Sequence, residues 1–289
     1  MSASIEDLLS RYAIEKREAQ MLLAHVLGVS RASVIAHSER ILDDAQERLA
    51  NQLLARRAEG EPFAYLIGSR EFYGRDFIVS PATLIPRPET EIIVEQALAH
   101  FSGHILPAKS ADIGSTHINA DNRPSILDLG TGSGVIAISL ALERPNTLVV
   151  ATDFSRDALL VAADNALRLD AAVEFVESNW YESLAGRRFD LIVSNPPYVA
   201  GDNEHLSRGD LRFEPQTALT DKSPDGLASI REIVNNASAH LNAGGWLLFE
   251  HGYDQSDACR ELLLKAGFVN LTSVNDLAGI PRVAGGQIR

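Results

Sequence analysis

Nine residues near the middle of the chain read Ile126-Leu127-Asp128-Leu129-Gly130-Thr131-Gly132-Ser133-Gly134, and an apolar segment follows at residues 135–142. This succession predicts a buried strand, a glycine turn and a helix. Glycines adopt positive φ angles and let the backbone approach a ligand closely, while the N-terminus of the helix presents free N–H groups. The segment therefore predicts a ligand-binding turn, and a tight βα turn without a ligand is the simpler alternative.

A second apolar segment, at residues 147–152, ends in Asp153, about twenty residues beyond the glycines. At this spacing a carboxylate can accept both ribose hydroxyls of a nucleoside. The third glycine follows the second by two residues rather than three, so the pyrophosphate of a dinucleotide fits this turn poorly. S-adenosylmethionine, which has no pyrophosphate, is the better candidate cofactor. The alternative for Asp153 is a helix N-cap, because Ser155 and Asp157 follow it.

The tetrapeptide Asn195-Pro196-Pro197-Tyr198 follows the apolar run Leu191-Ile192-Val193. An amide or aromatic amine holds its lone pair in conjugation, so an enzyme that methylates it must hold both N–H hydrogens and turn the lone pair toward the electrophile. The Asn195 side-chain oxygen and the Pro196 carbonyl can accept these hydrogens, and Tyr198 offers an aromatic face. The tetrapeptide predicts methyl transfer to a planar nitrogen, with a rigid turn as the alternative.

Strands and helices alternate through the rest of this region, which is typical of a mainly parallel sheet covered on both faces. Helices are predicted at 156–169, 226–241 and 255–266, and strands at 172–176, 190–193, 245–250, 268–274 and near Gln287. Ligands bind such sheets at the carboxyl ends of the strands. We therefore expect the glycine turn, Asp153, Ser178-Asn179-Trp180 and Asn195 to meet at one edge.

Together these segments resemble the class I methyltransferases, and among them the protein-(glutamine-N5) methyltransferases that modify class 1 peptide chain release factors. The resemblance covers nearly the whole chain and is far more specific than any single motif. It rests on the runs Glu61-Pro62, Arg70-Glu71-Phe72, Ser80-Pro81-Ala82-Thr83-Leu84-Ile85-Pro86-Arg87-Pro88-Glu89-Thr90-Glu91, Asp128 to Gly134, Asn195 to Tyr198, Arg212-Phe213-Glu214-Pro215 and Glu250-His251-Gly252.

The resemblance implies an α/β fold: a Rossmann-like class I methyltransferase with a mainly parallel seven-stranded sheet, plus a small N-terminal helical bundle joined by a β-hairpin. It implies methyl transfer from S-adenosyl-L-methionine to the N5 amide of the glutamine in a Gly-Gly-Gln motif. The family's Asn-Pro-Pro-Tyr loop holds that glutamine, so Asn195, Pro196, Pro197 and Tyr198 are the implied catalytic and substrate-binding residues. A class 1 release factor is the implied partner, and no metal is expected.

The implied cofactor-binding residues are Asp128, Gly130, Thr131, Gly132, Ser133, Gly134, Asp153, Asn179, Trp180 and Asn195. Asn179 stands where the family usually has an acidic residue, so its oxygen would accept from the adenine amino group without charge assistance. Trp180 is placed beside the adenine, with core packing as the alternative. Arg87 and Phe213 are further candidate substrate-binding residues; the alternatives are a surface ion pair for Arg87 and a loop anchor for Phe213.

Three parts are predicted along the chain. Residues 1–64 are helical because apolar residues recur with a 3.6-residue period. The resemblance implies that they bind the protein substrate, and a stabilising cap is the alternative. Residues 65–87 predict a β-hairpin linker with its turn at Tyr73-Gly74. Residues 88–289 predict the methyltransferase domain, in which Pro88 opens a helix and the polar, aperiodic residues 102–124 form a mobile surface insertion.

Composition limits the classes of protein. The 289 residues are 45% hydrophobic, enough for one large core and a small extra domain. Cys259 is the single cysteine, which predicts a reducing compartment, the cytoplasm. No apolar run approaches about eighteen residues, so neither a signal peptide nor a membrane span is expected. The net charge of −13 argues against direct binding along nucleic acid.

Other activities stay open at this point. An N6-adenine methyltransferase acting on DNA or RNA meets the same lone-pair problem with a similar tetrapeptide, but it must flip its base and hold phosphates. A glutamine methyltransferase acting on a ribosomal protein is separated mainly by the run Arg87-Pro88-Glu89-Thr90. A silent cofactor-binding protein is disfavoured by the intact tetrapeptide. Gly285-Gly286-Gln287 spells the implied substrate motif, and we interpret it as coincidence in a terminal strand.

Overall fold

The structure, a computed structural model, describes residues 3–103 and 123–289. The chain folds into two compact units, an N-terminal unit, Met1–Ser69 with Ser207–Phe213, and a larger unit, Arg70–Leu206 with Glu214–Arg289. Most of the insertion predicted at 102–124 lies outside the described residues. In the described part of the chain, no helix has the length and apolar character needed to cross a membrane.

The N-terminal unit is a helical bundle, as predicted. Its helices are α1 (Ile5–Arg11), α2 (Lys16–Leu27), α3 (Arg31–Ala36), α4 (Asp44–Ala58) and α5 (Phe63–Ile67). Capping boxes at Ser4 and Asp43 satisfy the first N–H groups of α1 and α4. Apolar residues of one face of each helix form a core that includes Leu8, Leu23 and Leu54. The periodicity of the sequence therefore predicted the helical character of this unit, whereas the unit extends beyond residue 64 to Ser69 and includes Ser207–Phe213.

A short β-hairpin follows, with strands β1 (Ser69–Phe72) and β2 (Arg75–Ile78). Its turn lies at Tyr73 (φ 51°) and Gly74 (φ 73°), as predicted, and two positive φ angles match the twist of a two-residue hairpin. The predicted hairpin, drawn from residue 65, is too long at both ends. Residues up to Ile67 are helical because Leu66 packs into the core of the N-terminal unit. After β2, prolines lack the N–H that a longer ladder needs.

The larger unit is built on a seven-stranded sheet, which confirms the predicted fold class. Its strands are β3 (Ser125–Leu129), β4 (Leu148–Asp153), β5 (Val173–Glu177), β6 (Phe189–Ser194), β7 (Leu241–Glu250), β8 (Val269–Asn275) and β9 (Pro281–Gln287). Their order across the sheet is β5-β4-β3-β6-β7-β9-β8. The first five strands in this order pair in parallel, and β9 is antiparallel to both of its neighbours.

Helices cover both faces of the sheet. They are α6 (Glu91–Gly103), α7 (Val135–Glu143), α8 (Arg156–Leu169), α9 (Gln216–Leu219), α10 (Ala228–His240) and α11 (Ser256–Lys265). One apolar core joins α6 and α7 to strand residues such as Ile126, and a second joins α10 and α11 to residues such as Leu127. Neighbouring residues of β3 therefore point to opposite cores, as the two-residue period of a strand requires.

The connections between strands reverse direction next to β3. The chain runs outward from β3 to β4 and β5, and then returns to place β6 on the other side of β3. Such a reversal opens a crevice at the carboxyl ends of the two strands, where ligands bind. Gly130 follows β3 and Asn195 follows β6, so both predicted motifs lie at this crevice.

The Gly-Gly-Gln tripeptide near the C-terminus forms the end of β9. A Cβ atom at Gly285 would lie 2.5 Å from the Leu247 carbonyl oxygen, and one at Gly286 would lie 2.8 Å from a leucine side chain. The Gln287 amide donates to the Gly244 carbonyl at 2.9 Å and accepts from an asparagine of β8 at 2.7 Å. Packing inside the sheet therefore accounts for both glycines and holds both ends of the glutamine amide.

We predict that Gly285→Ala destabilises the protein by about 1–3 kcal/mol, because the new methyl group meets a main-chain carbonyl that cannot rotate away. Gln287→Ala, at the partly exposed end of the same strand, should destabilise it by less, about 1 kcal/mol. Urea unfolding monitored by circular dichroism measures both changes. An unfolding midpoint of Gly285→Ala equal to that of the wild type would contradict this account of the glycines.

Candidate active site

A cavity of about 490 Å³ lies in the larger unit at the carboxyl ends of β3, β4 and β6. Its volume is typical of small-molecule sites. Many of the residues that the sequence predicted for the site line this cavity. They are Arg87, Gly130, Thr131, Gly132, Ser133, Asp153, Asn179, Trp180, Asn195 and Pro197. Of the other predicted residues in this unit, Asp128, Gly134, Pro196 and Tyr198 are not among those that line the cavity. The structure thus brings most of the predicted residues together at one edge of the sheet.

The glycine turn has three residues in the left-handed region, with φ of 70° at Gly130, 57° at Gly132 and 84° at Gly134. Their surroundings differ. A Cβ at Gly134 would lie 2.8 Å from the Ile138 side chain, so this glycine permits close packing of α7. A Cβ at Gly132 would have no atom within 4 Å, because this residue faces the open cavity. The turn therefore provides both a packing contact and room for a ligand beside the backbone.

Asp153 is the last residue of β4 and is 7% exposed, at the wall of the cavity. One carboxylate oxygen accepts from the Gly132 N–H at 2.9 Å and the other from the Ser155 N–H at 2.8 Å. Burial raises the pKa of Asp153, and these hydrogen bonds act in the opposite direction. The N-cap of α8 is Ser155, whose hydroxyl accepts from the Ala158 N–H, so the N-cap alternative for Asp153 was wrong.

Asp128 lies beneath the turn and is fully buried. One carboxylate oxygen accepts from the Thr131 hydroxyl at 2.7 Å and from the Ala137 N–H at 3.2 Å. The other oxygen is buried without a hydrogen-bond partner among the described residues. Burial raises the pKa of Asp128 to about 7. Asp128 thus connects the end of β3 to the first turns of α7, and its direct contact with a cofactor stays a prediction.

Asn179 and Trp180 form the part of the cavity wall that follows β5. The Asn179 side-chain nitrogen donates to the Glu182 carboxylate at 2.9 Å, so its oxygen is the atom available as an acceptor. The Trp180 ring packs against the second core and also lines the cavity, where a Cβ at Gly130 would lie 3.5 Å from it. Trp180 therefore packs against the core and lines the cavity, and its place beside the adenine stays a prediction.

The tetrapeptide beginning at Asn195 leaves the end of β6. The Asn195 side-chain nitrogen donates to the Thr90 hydroxyl at 3.0 Å, and that hydroxyl donates to Glu250 at 2.7 Å. The Tyr198 hydroxyl donates to the other oxygen of Glu250 at 2.9 Å. Burial raises the pKa of Tyr198, and the Glu250 carboxylate raises it further. The predicted packing of Tyr198 on a substrate amide stays a prediction.

The backbone of the same loop is held from the side of α11. The Gln255 amide nitrogen donates to the Tyr198 carbonyl at 3.0 Å and to the Asp225 carbonyl at 2.9 Å. Gly226 (φ 64°) passes so close to the Tyr198 carbonyl that a Cβ would overlap it. No role for the side chains of Thr90 or Gln255 was predicted from the sequence, because their partners lie 105 and 57 residues away along the chain. The sequence showed only that Thr90 lies within one of the runs that resemble the family, and that Gln255 lies shortly after another.

The surroundings of Arg87 and Phe213 differ from those predicted from the sequence. Arg87 lines the cavity and forms an ion pair with Glu214, whose carboxylate is buried and also accepts from the Ile85 N–H at 3.0 Å. The ion-pair alternative for Arg87 is therefore correct, although its partner is buried. Phe213 ends the 3₁₀ turn Gly209–Phe213, which belongs to the N-terminal unit. Substrate contacts by Arg87 and Phe213 stay predictions.

The fold and the cavity together define a Rossmann-like class I methyltransferase. Two family models match the chain, the PrmC N-terminal domain over residues 3–68 and the Methyltransferase small domain over residues 100–211. The release factor glutamine methyltransferase of Bordetella pertussis is 48% identical over 98% of this chain and 99% of its own length. That of Neisseria gonorrhoeae is 43% identical over 98% and 97%. The chain belongs to the release factor glutamine methyltransferase family.

A solved methyltransferase structure has a similar fold. The T. thermophilus 16S rRNA N2 G1207 methyltransferase RsmC, in complex with AdoMet and guanosine, has a TM-score of 0.50 and 19% identity to this chain. The match covers 76% of this chain and 50% of RsmC. At this identity the likeness shows the fold alone, and it confirms the predicted class I methyltransferase architecture.

We predict that Asp128 makes a pH-dependent contribution to stability. Its pKa is about 7 in the folded protein and 3.8 in an unperturbed aspartate, so between these pH values the folded state retains a proton that the unfolded state releases. The free energy of unfolding contributed by Asp128 therefore falls as the pH rises from 3.8 to about 7. Asp128→Asn removes this contribution and should lose less stability than the wild type over that range.

Urea unfolding of both proteins at a series of pH values, without added cofactor, measures this difference. Titration of carboxylates distant from Asp128 is common to the two proteins and cancels in the comparison; Asp153, whose charge raises the pKa of Asp128, is the exception. A difference in stability that stays constant with pH would show that Asp128 does not titrate in this range.

Proposed function

We propose that this protein transfers a methyl group from S-adenosylmethionine to the N5 amide nitrogen of the glutamine in the Gly-Gly-Gln motif of class 1 peptide chain release factors. The near full-length identity to curated release factor glutamine methyltransferases supports this proposal. The observation that carries it is the hydrogen bond from Asn195 to Thr90 at the cavity. It occupies the Asn195 nitrogen and leaves the side-chain oxygen to accept a hydrogen from a substrate amide.

The residues of the cavity fit S-adenosylmethionine. Asp153 presents a carboxylate that suits the two ribose hydroxyls, and the Asn179 oxygen suits the adenine amino group. Trp180 provides an apolar surface for the base, and Gly132 leaves space beside the helix N-terminus. When bound, S-adenosylmethionine supplies a methyl group on a positively charged sulfur, which favours in-line displacement by the substrate nitrogen.

The tetrapeptide loop prepares the substrate nitrogen. Asn195 accepts one amide hydrogen through its side-chain oxygen, and Pro196 accepts the second through its carbonyl oxygen. With both hydrogens held, the nitrogen lone pair turns out of conjugation and toward the methyl group. Pro196 and Pro197 fix two backbone φ angles, so the two acceptors keep one geometry. The nitrogen gains the methyl group as the methyl–sulfur bond breaks, and it then releases one of its two hydrogens as a proton to water, so the reaction needs positioned acceptors rather than a strong base.

Recognition of the rest of the substrate is assigned to residues outside this loop. Residues 1–64 bind the release factor, a role supported by the match of residues 3–68 to the PrmC N-terminal domain. Residues 65–87 link them to the methyltransferase domain, residues 88–289. Arg87 steadies the substrate backbone, and Phe213 is a further substrate-binding residue. The reaction takes place in the cytoplasm, which the proposed substrate and the single cysteine, Cys259, support.

Transfer of labelled methyl from S-adenosylmethionine to a purified class 1 release factor tests the proposal. The same factor with the glutamine of its Gly-Gly-Gln motif changed to alanine is the control. Label on the unaltered factor alone is the expected result. Label on neither factor, with methylation of DNA, RNA or a ribosomal protein instead, would overturn the assignment of the substrate.

We predict that Asn195→Ala lowers turnover of the release factor about 10²-fold or more, the effect of removing one preorganised polar group. Calorimetric measurement of S-adenosylmethionine binding distinguishes a lower turnover at the bound cofactor from weaker binding of the cofactor. Asn236→Ala, which removes the same amide from the exposed surface of α10, is the matched control and should turn over normally. Near-normal turnover of Asn195→Ala would exclude the role given to its side chain.

A further inference from the structure

A continuous line of hydrogen bonds lies behind Asn195. It passes from the Asn195 side-chain nitrogen to the Thr90 hydroxyl, then to Glu250, and from Glu250 to the Tyr198 hydroxyl. Thr90 is 2% exposed and Glu250 is 1% exposed. Thr90 ends the 3₁₀ turn Pro88–Thr90, and Glu250 ends β7. Three separate elements of the larger unit therefore converge on one asparagine side chain.

The direction of these bonds matters because an asparagine amide has two ends of similar size and opposite character. The oxygen accepts hydrogens, whereas the nitrogen only donates them. If the amide turned over, its nitrogen would point at a substrate whose own nitrogen also carries two hydrogens. No hydrogen bond could form between them, so only one of the two orientations supports the reaction.

Thr90 has the polarity that selects this orientation. Its hydroxyl hydrogen is directed to the Glu250 carboxylate, which in its ionised form only accepts. The Thr90 oxygen is then left as an acceptor, and the Asn195 nitrogen satisfies it at 3.0 Å. A reversed amide would place two oxygens against each other in a buried setting without a hydrogen between them, which is unfavourable.

We propose that Thr90 is a positioning residue, which holds the Asn195 amide with its oxygen toward the substrate nitrogen. This inference rests on the proposed function for its kinetic consequence, whereas the orientation itself is a property of the protein alone. Thr90 acts through Asn195, so removing its hydroxyl disturbs the geometry of the acceptor and leaves the other residues assigned to the cofactor, such as Asp153 and Asn179, in place.

The variant Thr90→Val removes the hydroxyl at nearly constant shape. We expect kcat for the release factor to fall about ten- to hundredfold, as when a reacting group is misplaced. The Kd of S-adenosylmethionine should stay within about twofold of the wild-type value, since Asp153, Asn179 and Trp180 are unchanged. Thr90→Ser restores the hydroxyl and should bring kcat back to within about threefold of wild type. An unchanged kcat in Thr90→Val would overturn the proposal.

Thr272→Val is the matched control, because it makes the same substitution on β8, away from the residues that line the cavity. Its kcat should equal that of the wild type. A double-mutant cycle then shows whether Thr90 acts through Asn195. In the Asn195→Ala background, Thr90→Val should lower kcat no further. Losses that multiply would mean that Thr90 acts independently of Asn195, and would overturn the proposal.

The hydrogen bond that orients Asn195 can also be tested without any substrate, by hydrogen exchange of its side-chain amide. In protein labelled with ¹⁵N-asparagine, the side-chain signal that disappears in Asn195→Ala identifies this amide. We expect its hydrogens to exchange with water about tenfold faster or more in Thr90→Val, and to recover in Thr90→Ser, because the bond to Thr90 protects them. An exchange rate unaffected by Thr90→Val would overturn the proposal whatever the substrate proves to be.

The two experiments separate this inference from the proposed function. If the wild-type protein methylates no release factor, the proposed function fails, and the exchange measurement still decides the orientation of Asn195. If the wild type is active and Thr90→Val is equally active, the proposed function stands and the role of Thr90 fails.

Discussion

The parallel pairing of β3 with β6 is the contact on which the candidate active site depends. Leu129 pairs with Ser194 at the carboxyl ends of these strands, and the Ser194 hydroxyl donates to the Leu129 carbonyl at 2.8 Å. The next residues are Gly130 and Asn195, where the two functional motifs begin. One buried side-chain hydrogen bond therefore fixes the glycine turn beside the tetrapeptide loop. A slip of one residue in this register would move every side chain of β6 to the opposite face of the sheet.

Buried carboxylates hold the loops around that junction. Asp128 binds the glycine turn from below, Asp153 ties it to the end of β4, and Glu250 anchors the hydroxyls behind Asn195. Burial raises the pKa of all three carboxyls, because each is removed from water. Each receives hydrogen bonds that offset part of this loss. The result is a set of loops with few alternative conformations, as a reaction that depends on positioning requires.

The tetrapeptide loop is held from two sides, and the two sides act on different parts of it. Gln255 and Gly226 fix the backbone of the loop at Tyr198, whereas Thr90 orients the side chain of Asn195. A prepared acceptor oxygen suits a substrate that is itself a poor nucleophile, because the enzyme must hold both of its hydrogens before the lone pair is available. The polarity of the hydrogen-bond line at Thr90 is thus part of the chemistry, in addition to its contribution to stability.

Local pattern in the sequence was sufficient for the order and type of the elements around the sheet. Helix α8 was predicted at its observed bounds, and β6 and β7 to within a few residues, because apolar periodicity reflects burial directly. Motif spacing also placed Gly130, Asp153 and Asn195 at one edge, since the carboxyl ends of parallel strands coincide.

Contacts between residues distant in the sequence determined the features that local sequence pattern did not predict. The hairpin is shorter than predicted because Leu66 packs in the core of the N-terminal unit. Local β-propensity does not reflect such a tertiary contact. Thr90, Glu250 and Gln255 received their roles from partners 52 to 160 residues away, and Arg87 from the buried Glu214. Sequence alone therefore predicted which chemical groups reach the cavity. Tertiary structure determined which of their atoms are already occupied by hydrogen bonds, because hydrogen-bond direction depends on neighbours that only folding brings together.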